Sequence, residues 1–186
     1  MIAELRDVAT LADETVGWSY HRDLDLTGFI DGTENPPLSV APGKVLVPAG
    51  SPGAGGSVLL LQKWAHDSAA WSRLQVSDQQ AVIGRGKPDS VELSDRPDSS
   101  HVARTDQDEF GTIFRRNTPY GSVREHGTMF VGFSATQRPL AAMLESMAGI
   151  TTGERDALTN YTRPLTGAYY FVPAVDDLAG FSIAES

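Results

Sequence analysis

The spacing of apolar residues predicts two amphipathic helices, one at the start of the chain and one in its last third. Residues 1–14 place an apolar residue at every third position, and Gly17 follows as a helix terminator. The second pattern ends at Gly149, a residue type that often closes a helix. The apolar face of the first helix comprises Ile2, Leu5, Val8 and Leu11; that of the second comprises Leu140, Met143, Leu144 and Met147.

Shorter segments predict the rest of the secondary structure. We expect short helices over residues 66–74, 77–83 and 154–161, and a turn at residues 119–121. Apolar runs predict strands over residues 57–64, 112–116, 127–134 and 167–172. This irregular alternation indicates an α+β fold with a four-stranded, mostly antiparallel sheet and helices on one face.

Two of the predicted strands are apolar at consecutive positions. Residues 58–61 read VLLL and residues 129–131 read MFV, so both faces of these strands carry apolar side chains. Such strands are typical of sheets that are covered on both sides. Helices of this chain can cover one face, so we expect the other to pack against a second copy or another domain.

Composition narrows the classes of function. The chain has 186 residues and no cysteine, which excludes thiol catalysis, Cys-ligated zinc and Cys-ligated iron–sulfur clusters. Its net charge of −9 disfavours nucleic acid as a partner. No apolar run reaches the roughly 18 residues that a membrane span needs. The first 17 residues lack the basic and apolar regions of a signal peptide, so we expect a cytoplasmic protein.

A long polar segment over residues 85–111 contains His101, one of four histidines. Long loops in small domains are often functional, which distinguishes His101 from the other histidines. For His21, His66 and His126, a surface or capping role is the expected one. No paired metal-ligand spacing such as His-x-x-x-His occurs, which argues against a zinc hydrolase.

The most informative stretch is Gly28–Pro36, with the sequence GFIDGTENP. A tight turn alone would explain the Asp31-Gly32 pair. The two flanking glycines, however, indicate a constrained loop in which the backbone of Asp31 closely approaches another group.

This stretch resembles the hallmark motif of the dye-decolorizing (DyP-type) haem peroxidases. Four further segments are similar to the family in the same order along nearly the whole chain. Residues 100–102 (SHV) resemble its proximal haem-ligand segment, residues 114–121 (FRRNTPYG) its distal arginine segment, and residues 155–157 and 167–171 its C-terminal helix and strand. The Arg115-x-Asn117 pattern is closer to the bacterial B-type subgroup than to the exported A-type enzymes.

The resemblance implies a role for each of five residues. His101 would be the axial ligand of the haem iron, and Asp156 would accept a hydrogen bond from its other ring nitrogen. An ordinary helix carboxylate remains the alternative for Asp156. Asp31 would move the peroxide proton, Arg115 would stabilise the charge that develops as the O–O bond breaks, and Asn117 would bind a distal water or peroxide. The alternative for Arg115 is a surface or propionate-binding residue.

Arg115 and Arg116 are neighbours on a predicted strand, so their side chains should point to opposite faces of the sheet. Only one of them can therefore enter the site.

The implied function is a haem b-dependent peroxidase that reduces hydrogen peroxide and oxidises dyes, phenolics or Mn(II) by one-electron steps. The alternatives are a haem-binding or haem-delivery module and an inactive half-domain that needs a partner. Dye oxidation with peroxide separates the first reading from the second, and haem binding separates both from the third.

Family members contain two ferredoxin-like halves, and the resemblance here covers the C-terminal one. We divide the chain into residues 1–26, an N-terminal helix and inter-domain connection, and residues 27–186, a ferredoxin-like haem-binding domain. A homo-oligomer is expected. Some B-type relatives associate with encapsulin shells through a C-terminal tail; residues 181–186 (FSIAES) show no recognisable tail and do not support an expectation of packaging.

Overall fold

A computed structural model describes residues 7–179 of the chain. Within this range the four strands are β1 (Ser57–His66), β2 (Phe114–Gly121), β3 (His126–Ser134) and β4 (Thr162–Val172). The helices are α1 (Ala41–Val45), α2 (Ser68–Ser72), α3 (Val76–Ile83), α4 (His101–Arg104), α5 (Gln107–Phe110), α6 (Gln137–Met147) and α7 (Val175–Ala179), with a 3₁₀ helix at Ala157–Asn160.

The strands form one antiparallel sheet in the order β2-β3-β1-β4. With helices between β1 and β2 and between β3 and β4, this is the ferredoxin-like topology, and the predicted α+β fold is confirmed.

The turn predicted at residues 119–121 is wrong, because β2 continues through Gly121 and the chain reverses over residues 122–125. Pro119 has no backbone N–H to donate to a neighbouring strand. It is tolerated because β2 lies at the edge of the sheet and has a partner strand on one side only.

One face of the sheet carries the helices and the core. Leu60 on β1 and Ile113 pack with Leu140 and Met143 of α6, all less than 5% exposed. The confirmed apolar face of α6 explains this packing. A second cluster of Phe29, Trp71 and Ile83 lies nearer α2 and α3. The core is therefore split into two small apolar clusters, and residues of both line one cavity.

The opposite face of the sheet is apolar and incompletely covered. Leu59 pairs with Phe133, and Leu61 pairs with Val131; all four are only partly buried. Beside them on β4, Tyr170 is 52% exposed. This pattern agrees with the expectation of apolar side chains on both faces.

Two predicted helices are wrong where the structure describes them, over residues 7–14 and 154–161. Residues 7–14 contain a turn and irregular chain, with Val8 82% and Leu11 59% exposed, while Ile2 and Leu5 lie outside the described residues. An amphipathic pattern forms a stable helix only where its apolar face has a surface to pack against. Residues 154–161 form only the short 3₁₀ helix, because the Asp156 side chain caps a tight turn there.

The described residues, 7–179, include no helix of the length and hydrophobicity that crossing a membrane requires. The C-terminal residues 181–186, on which the expectation about encapsulin packaging rests, lie outside the described range.

Candidate functional site

A cavity of about 250 Å³ lies between the sheet, α6 and the long segment that precedes β2. Its walls are mainly apolar, with contributions from Phe29, Leu60, Ile83, Phe130 and Leu140. Four of the five residues singled out from the sequence line it directly: Asp31, His101, Arg115 and Asn117. The fifth, Asp156, lies behind His101.

The imidazole of His101 is held by Asp156. Nδ1 of His101 lies 2.7 Å from Oδ2 of Asp156, whose side chain is fully buried. An ionised carboxylate can only accept, so Nδ1–H donates, and in a neutral imidazole this leaves the lone pair on Nε2. Oδ1 of Asp156 also accepts from the backbone N–H of Leu158 at 2.8 Å, which fixes the carboxylate in place.

The local sequence explains why His101 sits where it does. Ser100 is fully buried and caps α4, its Oγ accepting from the N–H of Ala103. Gly84 ends α3 with φ +94°, and a Cβ there would lie 2.8 Å from Oγ of Ser100. Only glycine satisfies both conditions. The N–H of Ala157 donates to the carbonyl of Ser99 at 2.8 Å, which joins the segment of Asp156 to that of His101.

A second polar group consists of Asp31, Arg115 and Asn117. Oδ1 of Asp31 accepts from Nη1 of Arg115 at 3.2 Å and from Nδ2 of Asn117 at 3.1 Å. Oδ2 accepts from the backbone N–H of Asn117 at 2.7 Å. The Asp31 side chain is only 2% exposed, so its charge is balanced within the protein. The structure thus brings together three residues that lie up to 86 positions apart.

The Asp31 loop is attached to β2 by Asn35, whose role the sequence analysis missed. Oδ1 of Asn35 accepts from the N–H of Arg115, and its Nδ2 donates to the carbonyl of Arg115, both at 2.8 Å. Gly32 has φ +74°, and a Cβ there would lie 2.5 Å from Nδ2 of Asn35. The asparagine inside the GTENP string was the available signal, but its partner could not be read from the sequence.

The two neighbouring arginines separate as their strand positions require. Arg115 faces the cavity, whereas the Arg116 side chain is 52% exposed and lies 3.7 Å from the Asp23 carboxylate. The alternation prediction is confirmed.

Alternating charges line another part of the cavity, a feature that sequence reasoning also missed. The guanidinium of Arg85 pairs with Glu34 and lies 3.5 Å from Glu92. Arg96 pairs with Glu92 and, at 3.1 Å, with Asp106. These contacts connect the loop after Asp31 to the segment that carries His101.

Of the other histidines, His66 lines the cavity and His126 lies outside it. His66 lines the cavity and contacts Oγ1 of Thr128 at 3.2 Å. Burial, with a smaller contribution from the charge of His126, lowers the pKa of His66 to about 4. His126 contacts the hydroxyl of Ser68 at 2.6 Å and does not line the cavity.

Comparison with known proteins gives consistent matches. The family model for the C-terminal part of Dyp-type peroxidases matches residues 22–177. A dye-decolorizing peroxidase of Brevibacterium linens is 38% identical over 188 residues, covering 96% of this chain and 51% of that protein.

Solved structures agree with these sequence matches. A dye-decolorizing protein from V. cholerae has a TM-score of 0.87 and 40% identity, covering 97% of this chain and 63% of that one. A DypB variant from Rhodococcus jostii RHA1, solved in complex with heme, has a TM-score of 0.87 and 36% identity over 95% of this chain and 60% of its own. The chain spans about half the length of the curated relatives it matches.

Proposed function

Because the chain belongs to the dye-decolorizing peroxidase family, we propose that it is the haem-binding half of a peroxidase. The reaction reduces hydrogen peroxide and withdraws single electrons from small organic donors such as dyes and phenolics, or from Mn(II). Residues 27–186 form the haem-binding unit in this proposal. A cytoplasmic location stays a prediction.

The observation that carries the proposal is the buried Asp156–His101 pair beside an apolar cavity. An imidazole whose Nδ1–H is bound to a carboxylate presents a basic Nε2, which suits an axial ligand of haem iron. The apolar walls suit a porphyrin face. The given sequence has no cysteine for a thioether linkage, and the group we propose, in line with the family resemblance, is haem b.

When bound, the iron supplies the redox chemistry of peroxide cleavage, and the protein supplies binding, orientation and proton transfer. In this proposal Asp156 keeps His101 in the tautomer with a free Nε2. Because Asp156 is fully buried, the charge-assisted hydrogen bond between them is not screened by water.

On the peroxide side, Asp31 accepts the proton from the inner oxygen of peroxide and returns it to the outer oxygen, directly or through a water. The positively charged guanidinium of Arg115 stabilises negative charge on the oxygens as they separate. The amide of Asn117 donates to Asp31 and orients that carboxylate.

A second candidate is favoured by the incompletely covered sheet face. The chain matches about half of its relatives' length, and Leu59, Leu61, Val131 and Phe133 form an incompletely covered apolar surface. In that case the chain binds haem but turns over only beside a partner domain or a second copy, which would form a homo-oligomer.

The test is a haem titration of the purified chain, followed by peroxide-dependent dye oxidation. We expect a Soret band at equimolar haem and dye oxidation that needs peroxide. His101→Ala should lose haem, whereas the control His126→Ala should retain it, because His126 lies outside the cavity. Haem binding without dye oxidation would favour the second candidate, and normal loading of His101→Ala would refute the assignment of the ligand.

A further inference from the structure

Asp25 is a carboxylate of the cavity wall with no part in the proposed mechanism. It lies on the same loop as Asp31, where Leu24 bridges Ile30 and the N–H of Asp25 donates to the carbonyl of Phe29 at 3.0 Å. Asp25 and Asp31 both line the cavity. The loop therefore presents two carboxylates to one site.

The two carboxylates have different partners. Asp31 accepts three hydrogen bonds, from Arg115 and from both nitrogens of Asn117. Asp25 uses only Oδ1, which accepts from the backbone N–H of Thr27 at 2.8 Å and from the Thr27 hydroxyl. Both of these hydrogen bonds are to Oδ1, and the residue is partly exposed where it lines the cavity.

The environment favours the protonated form of Asp25. Burial raises its pKa, the hydrogen bonds from Thr27 oppose that effect, and the negative charge of Asp31 raises the pKa further. Arg115, on β2, is the charged group that lowers it. A pair of carboxylates that differ in this way commonly divides acid and base roles.

We infer that the carboxyl group of Asp25 sets the upper pH limit of the peroxide step by controlling the Asp31–Arg115 pair, an inference that rests on the proposed function. While Asp25 is neutral, Asp31 is the carboxylate among residues 7–179 that pairs with Arg115. Once Asp25 loses its proton, a second negative charge competes for the same guanidinium and weakens its action on the peroxide oxygens. Asp25 is thus a positioning residue that acts through Arg115.

The first measurement is the pH dependence of the stopped-flow reaction between peroxide and the haem-loaded chain. The wild-type rate constant should fall as pH rises through the pKa of Asp25, whereas Asp25→Asn should retain its rate at neutral pH. Thr27→Val removes one hydrogen bond that lowers the pKa of Asp25, so it should move the limit to higher pH. The control Asp23→Asn, at a side chain 72% exposed, should follow the wild type.

The second measurement needs neither haem nor peroxide. A carboxyl whose folded pKa is raised stabilises the fold at low pH, and this stability is lost as pH rises from 3.8 through the folded pKa. As pH rises through that window, the equilibrium constant for urea unfolding of the wild type should increase about tenfold per pH unit relative to that of Asp25→Asn. Asp23→Asn should show no such difference.

The outcomes separate the two ideas. A wild type that binds haem but does not react with peroxide refutes the proposed function. A reactive wild type whose pH profile is unchanged by Asp25→Asn and Thr27→Val refutes the role of Asp25, as does an identical pH dependence of urea unfolding in wild type and Asp25→Asn.

Discussion

Replacing Asp156 by asparagine should weaken haem binding far more than it weakens the fold. The wild-type carboxylate accepts from Nδ1–H of His101 at 2.7 Å and from the N–H of Leu158 at 2.8 Å, in a fully buried position. An asparagine side chain has one acceptor oxygen and one donor NH₂ group. It therefore cannot accept both of these hydrogen bonds in the same way.

Each orientation of the amide has a different consequence. If its oxygen accepts from Leu158, its NH₂ group faces Nδ1 of His101, and the imidazole must place its proton on Nε2, where no lone pair remains for iron. If its oxygen accepts from His101, its NH₂ group opposes the N–H of Leu158, which leaves buried donors unpaired at about 1–3 kcal/mol. In the first orientation the ligand-free protein keeps both the contact with Leu158 and the contact with His101, but haem binding cannot use it.

We therefore expect haem affinity to fall by about 10–100-fold, the usual effect of losing the partner of a ligating histidine. The assay is a Soret titration with haem, run beside urea unfolding of the ligand-free protein. Asp156→Asn should change the free energy of unfolding by less than the free energy that corresponds to the loss of haem affinity. Asp98→Asn, an exposed carboxylate in the same segment as His101, is the matched control. Wild-type haem affinity in Asp156→Asn would refute the proposed hydrogen-bonding role.

Three further predictions concern the distal pair, the pH dependence of stability and the oligomeric state. Arg115→Leu should slow the peroxide step more than Asp31→Asn, by about 10²–10³ relative to wild type, since water replaces a proton carrier more easily than a fixed charge; a slower Asp31→Asn in stopped flow would reverse this ranking. Because the pKa of His66 is lowered to about 4, the unfolded chain binds the extra proton between pH 6.5 and 4, so the free energy of unfolding should fall as pH drops through that range. His66→Gln should reduce this slope in urea titrations, and an unchanged slope would contradict the burial of a neutral imidazole. The incompletely covered apolar sheet face should produce dimers or larger species in light scattering at micromolar protein, and a monodisperse monomer that retains haem would show that this half closes its own core.

The sequence alone determined the parts of the fold that depend on local patterns. The apolar runs predicted the positions of all four strands, and the spacing of Leu140 and Met143 predicted α6. These elements can be predicted because the side chains on one face of a strand or helix recur at fixed intervals along the sequence. The limits of β2 and β4 were underestimated, since strand length depends on hydrogen bonds to neighbouring strands. The same dependence on context explains why residues 7–14 do not form the predicted helix.

The candidate residues of the site were identified by motif, and their proposed roles stay predictions. The tertiary structure added contacts that the motifs did not indicate, whereas the contact between Asp156 and His101 was expected through the resemblance. Asn35 binds the backbone of Arg115 across 80 positions, and Asp156 reaches His101 across 55.

The unusual environment of Asp25 has no local sequence signature either. Its proton affinity follows from burial and from the charges of Asp31 and Arg115, which lie on a loop and a strand far apart in the chain. Electrostatic energies depend on distance and on exclusion of water, and both are fixed only when the chain has folded.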